Sequence, residues 1–507
     1  MSRSLVAALL GAATAALVPA AAGAAATPPS EDPFYRPPSS YANAAPGAVL
    51  ATRQATVSFA GSPATAQATQ ILYRTTDQLG RPSATVTTLM RPAIPAPVVR
   101  LVSYQTAYNG VADTCRPSYA LQEGNSAANS VVSVQSAVML SYLAQGYTVV
   151  TSDFQGPTDA YGAGREEGYA TLDGIRAAQR VLAAGPETPT ALGGYSGGSI
   201  ATLWAAQQAP AYAPELNLVA ASGGGVPAHF ANTLRRIESG TGWTGAIPAV
   251  GMGLARAYRL DLSRLLNDRG KEIMRETEKG CIVNAAWPGL KLADMLKPEY
   301  RDWQQVPELA LIMNDSIMGR GGTPSTPVFL GVGNQGDGSD GVMIADDVQQ
   351  LAHDYCSRGV PAQFRVYDRL DHTTAFPAFA ADEAVFFQRA FAGLAPDECP
   401  IAPGNRLDPL PMPPGQPELT SGISLMSGPG GLTVGAPTSS LTSVSLSISA
   451  CSEETSPHTV DVGNLPSFGE RTVGLPAKLA AEDCYRVSAS ASMQTAPIRA
   501  TVTFDAG

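Results

Sequence analysis

The stretch from Thr190 to Trp204 limits the fold more than any other part of this chain. Thr190-Ala191-Leu192-Gly193-Gly194-Tyr195-Ser196-Gly197-Gly198-Ser199-Ile200-Ala201-Thr202-Leu203-Trp204 reads as a short strand, a sharp turn at Ser196, then a helix. Gly194, Ser196 and Gly198 fit the G-x-S-x-G pattern of a nucleophile elbow, where a serine hydroxyl stands clear of the backbone on a strained strand-to-helix turn. A side chain at either flanking glycine would crowd the approach to that hydroxyl. The following helix points its unpaired N–H groups and positive end at the same place. Alone, five residues fit a glycine-rich surface loop equally well, so the order of the neighbouring elements has to decide.

That order alternates strand and helix. Strands are expected at Gln70–Thr75, Ala84–Met90 and Val98–Gln105, with a hairpin turn at Asp77-Gln78-Leu79-Gly80. A helix at Ser136–Gln145 and a buried strand at Tyr147–Asp153 follow. Next comes a helix over Gly164–Ala183, with Leu172, Ile175, Ala178 and Leu182 on one face. After the elbow comes the strand Leu218–Ser222. From about Gly223 to Gly322 strand signals vanish, and amphipathic segments such as Ile247–Tyr258 and Leu260–Met274 predict a helical insertion over the end of the sheet; a separate helical domain is the alternative. The alternation resumes with Pro327–Gly333, Ile344–Cys356, Gln363–Tyr367 and Asp382–Ala392. The whole describes a mainly parallel α/β sheet.

Beyond it the pattern changes. Pro409, Pro411, Pro413, Pro414 and Pro417 form a stiff linker, placed at 405–417. In the tail, Val444, Leu446 and Ile448 alternate with serines, and Ile498, Ala500, Val502 and Phe504 with Arg499, Thr501 and Thr503. Period-two alternation predicts half-buried strands, hence a small β-sandwich-like domain over 418–507. At the other end, Arg3, the apolar run Leu5–Val18 and the alanine tract Ala20–Ala26 read as an export leader over 1–26, cleaved rather than kept as an anchor. Six cysteines in an exported chain imply three disulfides. Proximity along the chain favours Cys451–Cys484 and Cys356–Cys399, leaving Cys115–Cys281. None lies in a C-x-x-C pattern, which argues against redox and zinc roles. A net charge of −10 over 507 residues argues against nucleic acid as a partner. No later stretch is long and apolar enough to anchor the chain in a membrane, and a monomer is expected.

A serine nucleophile needs a base, and the base an orienting carboxylate. The chain has only 4 histidines, so the search is short. His458 lies in the tail, His353 mid-helix as a surface residue, and His229 at the start of the insertion. His372, in Leu370-Asp371-His372-Thr373-Thr374, follows a late strand and precedes the last helix, the right place for the base. Asp371 beside it points elsewhere. The acid belongs in the loop after Pro327–Gly333, where Asp337 and Asp340 both qualify. A calcium loop is the alternative there, but the distal glutamate of an EF-hand is missing; no metal or organic cofactor is required.

Several motifs are similar to the secretory lipase family, the Candida antarctica lipase A group within the α/β-hydrolases. They include Asp32-Pro33-Phe34-Tyr35, Gln70 to Thr76, Ser103-Tyr104-Gln105, Cys115-Arg116-Pro117-Ser118-Tyr119, Glu166-Glu167-Gly168, Leu172 to Ala177, Gly194 to Gly198 and Tyr212 to Asn217. The resemblance covers roughly residues 30–404. It implies an α/β-hydrolase domain over 27–404, a Ser196–Asp340–His372 triad, and oxyanion donors at the backbone N–H groups of Gly197 and Asn109. It selects Asp340, counted back from Cys356, although the Gly336–Gly341 loop is richer in glycine than the family pattern. It also implies the pairs Cys115–Cys281 and Cys356–Cys399, and a lid over 225–322 that shapes an acyl tunnel. The expectation is a secreted carboxylic-ester hydrolase acting on acylglycerols. A short-chain esterase or an acyltransferase is the alternative, and a non-catalytic surface-binding protein is the reading from another class.

Overall fold

The computed structural model describes residues 26–505 except 61, 63, 126–127, 241, 282–286, 395–398, 416, 418–421, 429–430, 452–456 and 476–483. All but the last residue of the expected leader lies outside the described residues, as does the start of the expected tail domain.

Nine strands build one sheet: β1 (Val49–Ser58), β2 (Thr65–Thr76), β3 (Pro82–Met90), β4 (Leu101–Gln105), β5 (Thr148–Ser152), β6 (Thr190–Tyr195), β7 (Leu218–Gly224), β8 (Val328–Asn334) and β9 (Ala362–Asp368). Their spatial order is β1-β2-β3-β5-β4-β6-β7-β8-β9. Pairs up to β3–β5 are antiparallel and all later ones parallel. β4, β5 and β6 are buried along their whole length, because helices cover both faces of a parallel sheet. β1 carried no clear signal in the sequence. It is a half-exposed edge strand whose mixed residues show no apolar run.

The helices Gly164–Leu182 and Gly197–Tyr212 pack together on one face, where Gly168 lets the backbone at Trp204 come close. Ser130–Ala144 and Ala375–Phe391 share a second core, in which Tyr142, Phe379 and Phe387 are fully buried. From β4 the chain runs to β5 on one side and then returns to β6 on the other. The loop after β4 and the turn after β6 therefore diverge at the carboxyl edge and open a crevice, the usual ligand position in such sheets.

Between β7 and β8 the regular elements among the described residues are all helices. The span Leu260–Met274, expected as one helix, is two: Leu262–Leu265 and Asp268–Thr277. Asp261 and Asn267 each cap a new start, with side chains accepting from Ser263 N–H at 2.9 Å and Gly270 N–H at 2.8 Å. The last helix begins at Ala375 rather than Asp382, because Asp371 accepts N–H groups of Thr373 and Thr374 and turns the chain early.

The tail holds β10 (Ser424–Gly428), β11 (Gly431–Gly435), β12 (Leu441–Ala450), β13 (His458–Leu465), β14 (Glu470–Val473), β15 (Cys484–Met493) and β16 (Ala496–Asp505). They form two antiparallel sheets, β10-β11-β14 and β13-β12-β15-β16. Val444, Leu446 and Ile448 point into a shared core with Leu432 and Val487. Disulfides join Cys115–Cys281, Cys356–Cys399 and Cys451–Cys484. No helix among the described residues is long and apolar enough to cross a membrane.

Candidate active site

Ser196 sits between β6 and its helix with φ +55° and ψ −124°. A non-glycine residue held there is strained, and its neighbours show what holds it. Ser196 N–H donates to Gly224 C=O at 2.8 Å. A Cβ on Gly194 would meet Gly198 O at 2.5 Å and Thr202 Oγ1 at 2.7 Å, and one on Gly198 would strike the Gln105 carbonyl. The glycines thus let β4, β6 and the helix start converge on the serine.

His372 Nε2 lies 2.8 Å from Ser196 Oγ, and His372 Nδ1 lies 2.7 Å from Asp340 Oδ2. His372 and Asp340 are 4% and 0% exposed, so bulk water does not compete for these bonds. The other carboxylate oxygen of Asp340 accepts from Val342 N–H at 2.9 Å and Met343 N–H at 2.6 Å. His372 N–H donates to Asp340 C=O at 2.8 Å, and Tyr195 O–H to His372 C=O at 2.7 Å. Asp340 accepting at Nδ1 fixes the Nδ1–H tautomer and leaves Nε2 free to accept the serine proton. Such a chain can make an alcohol nucleophilic.

The other candidates fall elsewhere. Asp337 is half-exposed on the rim and paired with Arg236 at 2.5 Å. Burial opposes its ionisation, but the Ser339 N–H and the Arg236 guanidinium together outweigh it and lower its pKa. Asp371 caps the turn before Ala375–Phe391, where Thr374 holds its pKa below the usual carboxylate range. His229 and His353 bond the carbonyls of Asp408 and Ile401; His353 is half-buried there rather than on the surface. His458 opens β13 in the tail.

Gly197 and Asn109 face each other across the crevice. A Cβ on Gly197 would collide with Asn109 Oδ1. Asn109 is 5% exposed with φ +40°, and among the described residues its Oδ1 has no hydrogen-bond partner. Gly197 is also the first residue of its helix, where N–H groups lack intrahelical acceptors.

Two recesses flank the site, one reaching Gly197 beside the serine and the other His372. One is an apolar cavity of about 120 Å³ that reaches Gly197 and is lined by Tyr161, Ile200, Phe230, Ile247, Leu254 and Val342 among others. The second is polar, about 390 Å³, and includes Arg236, Trp243, Gln335, Asp371, His372 and Thr373. The Trp243 ring meets His372 edge-on at 5.4 Å. Sequence reasoning missed Trp243 and Arg236, which lie in a region with no local motif. Among the described residues no group of three His, Cys, Asp or Glu is placed to hold a metal ion.

A family model described as secretory lipase matches residues 121–393. The chain is 34% identical over 375 residues to a probable inactive lipase of Mycobacterium tuberculosis (strain CDC 1551 / Oshkosh), covering 72% of this chain and 82% of that protein. It is 31% identical over 357 residues to a secreted triacylglycerol lipase of Malassezia furfur, covering 68% of this chain and 71% of that one. Among solved structures it is similar to Candida antarctica lipase A in its closed state, with TM-score 0.69 and 29% identity, over 75% of this chain and 91% of the other.

Proposed function

The chain belongs to the secretory lipase family and is a carboxylic ester hydrolase; from that premise we propose that it is an exported enzyme cleaving acylglycerols and related esters through Ser196, His372 and Asp340. Ser196 Oγ attacks the ester carbonyl while His372 Nε2 takes its proton. The carbonyl oxygen becomes an oxyanion, held by the backbone N–H groups of Gly197 and Asn109. His372 then gives the proton to the departing alcohol, leaving an acyl-serine. Water, deprotonated by His372, attacks the acyl-serine, and collapse of the second tetrahedral intermediate releases the acid and restores the serine. Asp340 keeps the imidazole in its tautomer and stabilises the transient cation. One oxyanion donor is worth ~3 kcal/mol.

The observation that carries this reading is the continuous bonding from Ser196 through His372 to Asp340, at 2.8 and 2.7 Å. The two recesses suggest how an ester lies: its acyl chain in the apolar cavity, its alcohol in the polar one beside the proton donor. The test is hydrolysis of p-nitrophenyl esters of graded chain length by wild type and Ser196→Ala. Turnover confined to the wild type supports the reading; equal turnover in both overturns it.

A second reading, an esterase for short or soluble acyl groups, is favoured by the cavity itself. At about 120 Å³ it is below the roughly 150 Å³ of an apolar cavity that accepts one benzene. Acyl groups of about six carbons fit such a space, and longer ones require the insertion helices to part. A rate falling steeply beyond that length, with emulsified long-chain glycerides left intact, selects this reading; sustained long-chain turnover selects the lipase.

A further inference from the structure

Among the described residues the tail bonds the body at several places, such as Thr438 to Leu260 C=O and Ser263 N–H to Pro437 C=O, and two of these grips converge on the loop that carries Asn109. At the first, Arg256 is the only charged residue of the helix Ala246–Tyr258, and its side chain is fully buried. Its Nη1 donates to Val111 C=O at 2.6 Å and Thr158 C=O at 2.9 Å, its Nε to Ser439 Oγ in the tail at 2.8 Å, and its Nη2 to Glu278 at 3.1 Å. Glu278 in turn accepts from Ser440 N–H at 3.0 Å and Ser440 Oγ at 2.9 Å. At the second, the β15–β16 turn inserts Gln494 and Thr495. Gln494 Nε2 donates to the same Val111 carbonyl at 3.4 Å. Thr495 N–H donates to Pro157 C=O at 3.3 Å, and its hydroxyl accepts from Arg116 Nη1 at 3.1 Å. Arg116 is itself buried and paired at 2.8 Å with Asp159.

Val111 is two residues from Asn109. The stretch between Asn109 and Cys115 has little secondary structure, being pinned by the Cys115–Cys281 disulfide and a single bridge from Gly110 to Cys281. On one side of Asn109 the body holds the loop: Asn129 Nδ2 donates to Tyr108 C=O at 2.7 Å and Ala107 N–H donates to Gln135 at 2.9 Å; on the other side the contacts at Val111 come from the insertion and the tail. A buried arginine meeting three carbonyl or hydroxyl acceptors at once holds backbone in a fixed geometry.

We propose that the C-terminal β unit is a positioning element for oxyanion stabilisation: through Arg256, Gln494 and Thr495 it sets the loop 106–116, and with it the Asn109 N–H, against Ser196. This rests on the reading of Gly197 and Asn109 as oxyanion donors. These three are positioning residues, since none touches the reacting atoms. A shift of about 1 Å in such a donor lowers the rate by up to about 100-fold.

The experiment uses the full chain and three variants: Arg256→Gln, the double variant Gln494→Ala/Thr495→Val, and Thr495→Ser. For each, kcat and KM are measured on a short soluble ester, with the affinity for a trifluoromethyl ketone, whose serine adduct carries the oxyanion. All assays run well below each unfolding midpoint. The expected result is a kcat lower by about 10-fold or more in Arg256→Gln and by about 3-fold in the double variant, with KM within about 2-fold. Ketone affinity should fall by the same factor as kcat/KM, and Thr495→Ser should behave as wild type. If Arg256→Gln does not fold, the double variant, which keeps the Arg116–Asp159 pair, decides alone. Folded variants with wild-type kcat and ketone affinity would overturn the proposal, as would a loss of rate that vanishes once stability is matched. A wild type with no turnover would overturn the reading of the site itself, and the positioning role with it.

Discussion

Ser196 follows β6 and its N–H is held by Gly224 of the neighbouring β7; Asp340 and His372 lie in the loops after β8 and β9, fixed by Val342 and Met343 N–H groups and by the bond from His372 N–H to Asp340 C=O. Across the crevice, the loop after β4 receives its fixing contacts at Val111 from an insertion helix and from the tail. One side of the site is held by the sheet and the loops that leave it; the other is held partly by Asn129 and Gln135 of the covering helix and partly by parts added to the sheet. The contrast teaches where variation is tolerated. The side of Ser196, His372 and Asp340 is expected to fail mainly when its own residues change, and the Asn109 side also when distant residues do.

The largest effect belongs to the sheet-held side. Asp340→Asn removes the carboxylate that fixes the imidazole and should lower kcat by about 10³- to 10⁴-fold. Asp337→Asn, on the exposed rim, should stay within about 2-fold by the same logic. A larger loss from Asp337→Asn would break the comparison at its root. Gly197→Ala comes next, because its Cβ runs into Asn109 Oδ1 at the meeting point of the two sides. The loop must yield, so kcat should fall by about 10- to 100-fold, with unfolding near that of wild type.

The smallest effect is on stability. Glu383 lies beneath the elbow strand, where a Cβ on Gly193 would meet its carboxyl oxygen at 2.7 Å, and it accepts the Tyr142 hydroxyl at 2.9 Å. Burial pushes its pKa up to about 8. The folded protein therefore keeps a proton that the unfolded chain releases near the ordinary value of about 4.3, and stability falls as pH rises from there to about 8. Glu383→Gln removes that loss. Its unfolding midpoint should match wild type near pH 4 and exceed it by a few degrees at pH 8, with kcat within about 2-fold. An equal advantage at both pH values would contradict the titration.

The two sides also differ in how far they could be read from sequence. The elbow was legible because its glycines are demanded locally, and His372 because so few histidines exist. Asp340 and Asp337 share one loop and one residue type, and only burial separates them, which no local pattern carries. Arg256 left a faint trace as a single charge in an otherwise uncharged helix, which signals a buried, bonded guanidinium. The grip of the tail left none: it is made through backbone carbonyls at Val111 and Pro157, which any residue presents, and through serine and threonine hydroxyls that meet Arg256, Glu278 and Arg116 only in the fold. The tail's strands were readable from their alternation, its docking was not.

The most direct test of the central claim is mass spectrometry of the protein after treatment with a fluorophosphonate, beside His372→Ala. Cooperation of the two side chains requires a single adduct on the peptide containing Ser196, formed rapidly in wild type and slowed by about 10³-fold or more in the variant. An adduct on another residue, or equal labelling of Ser196 in both proteins, would contradict it.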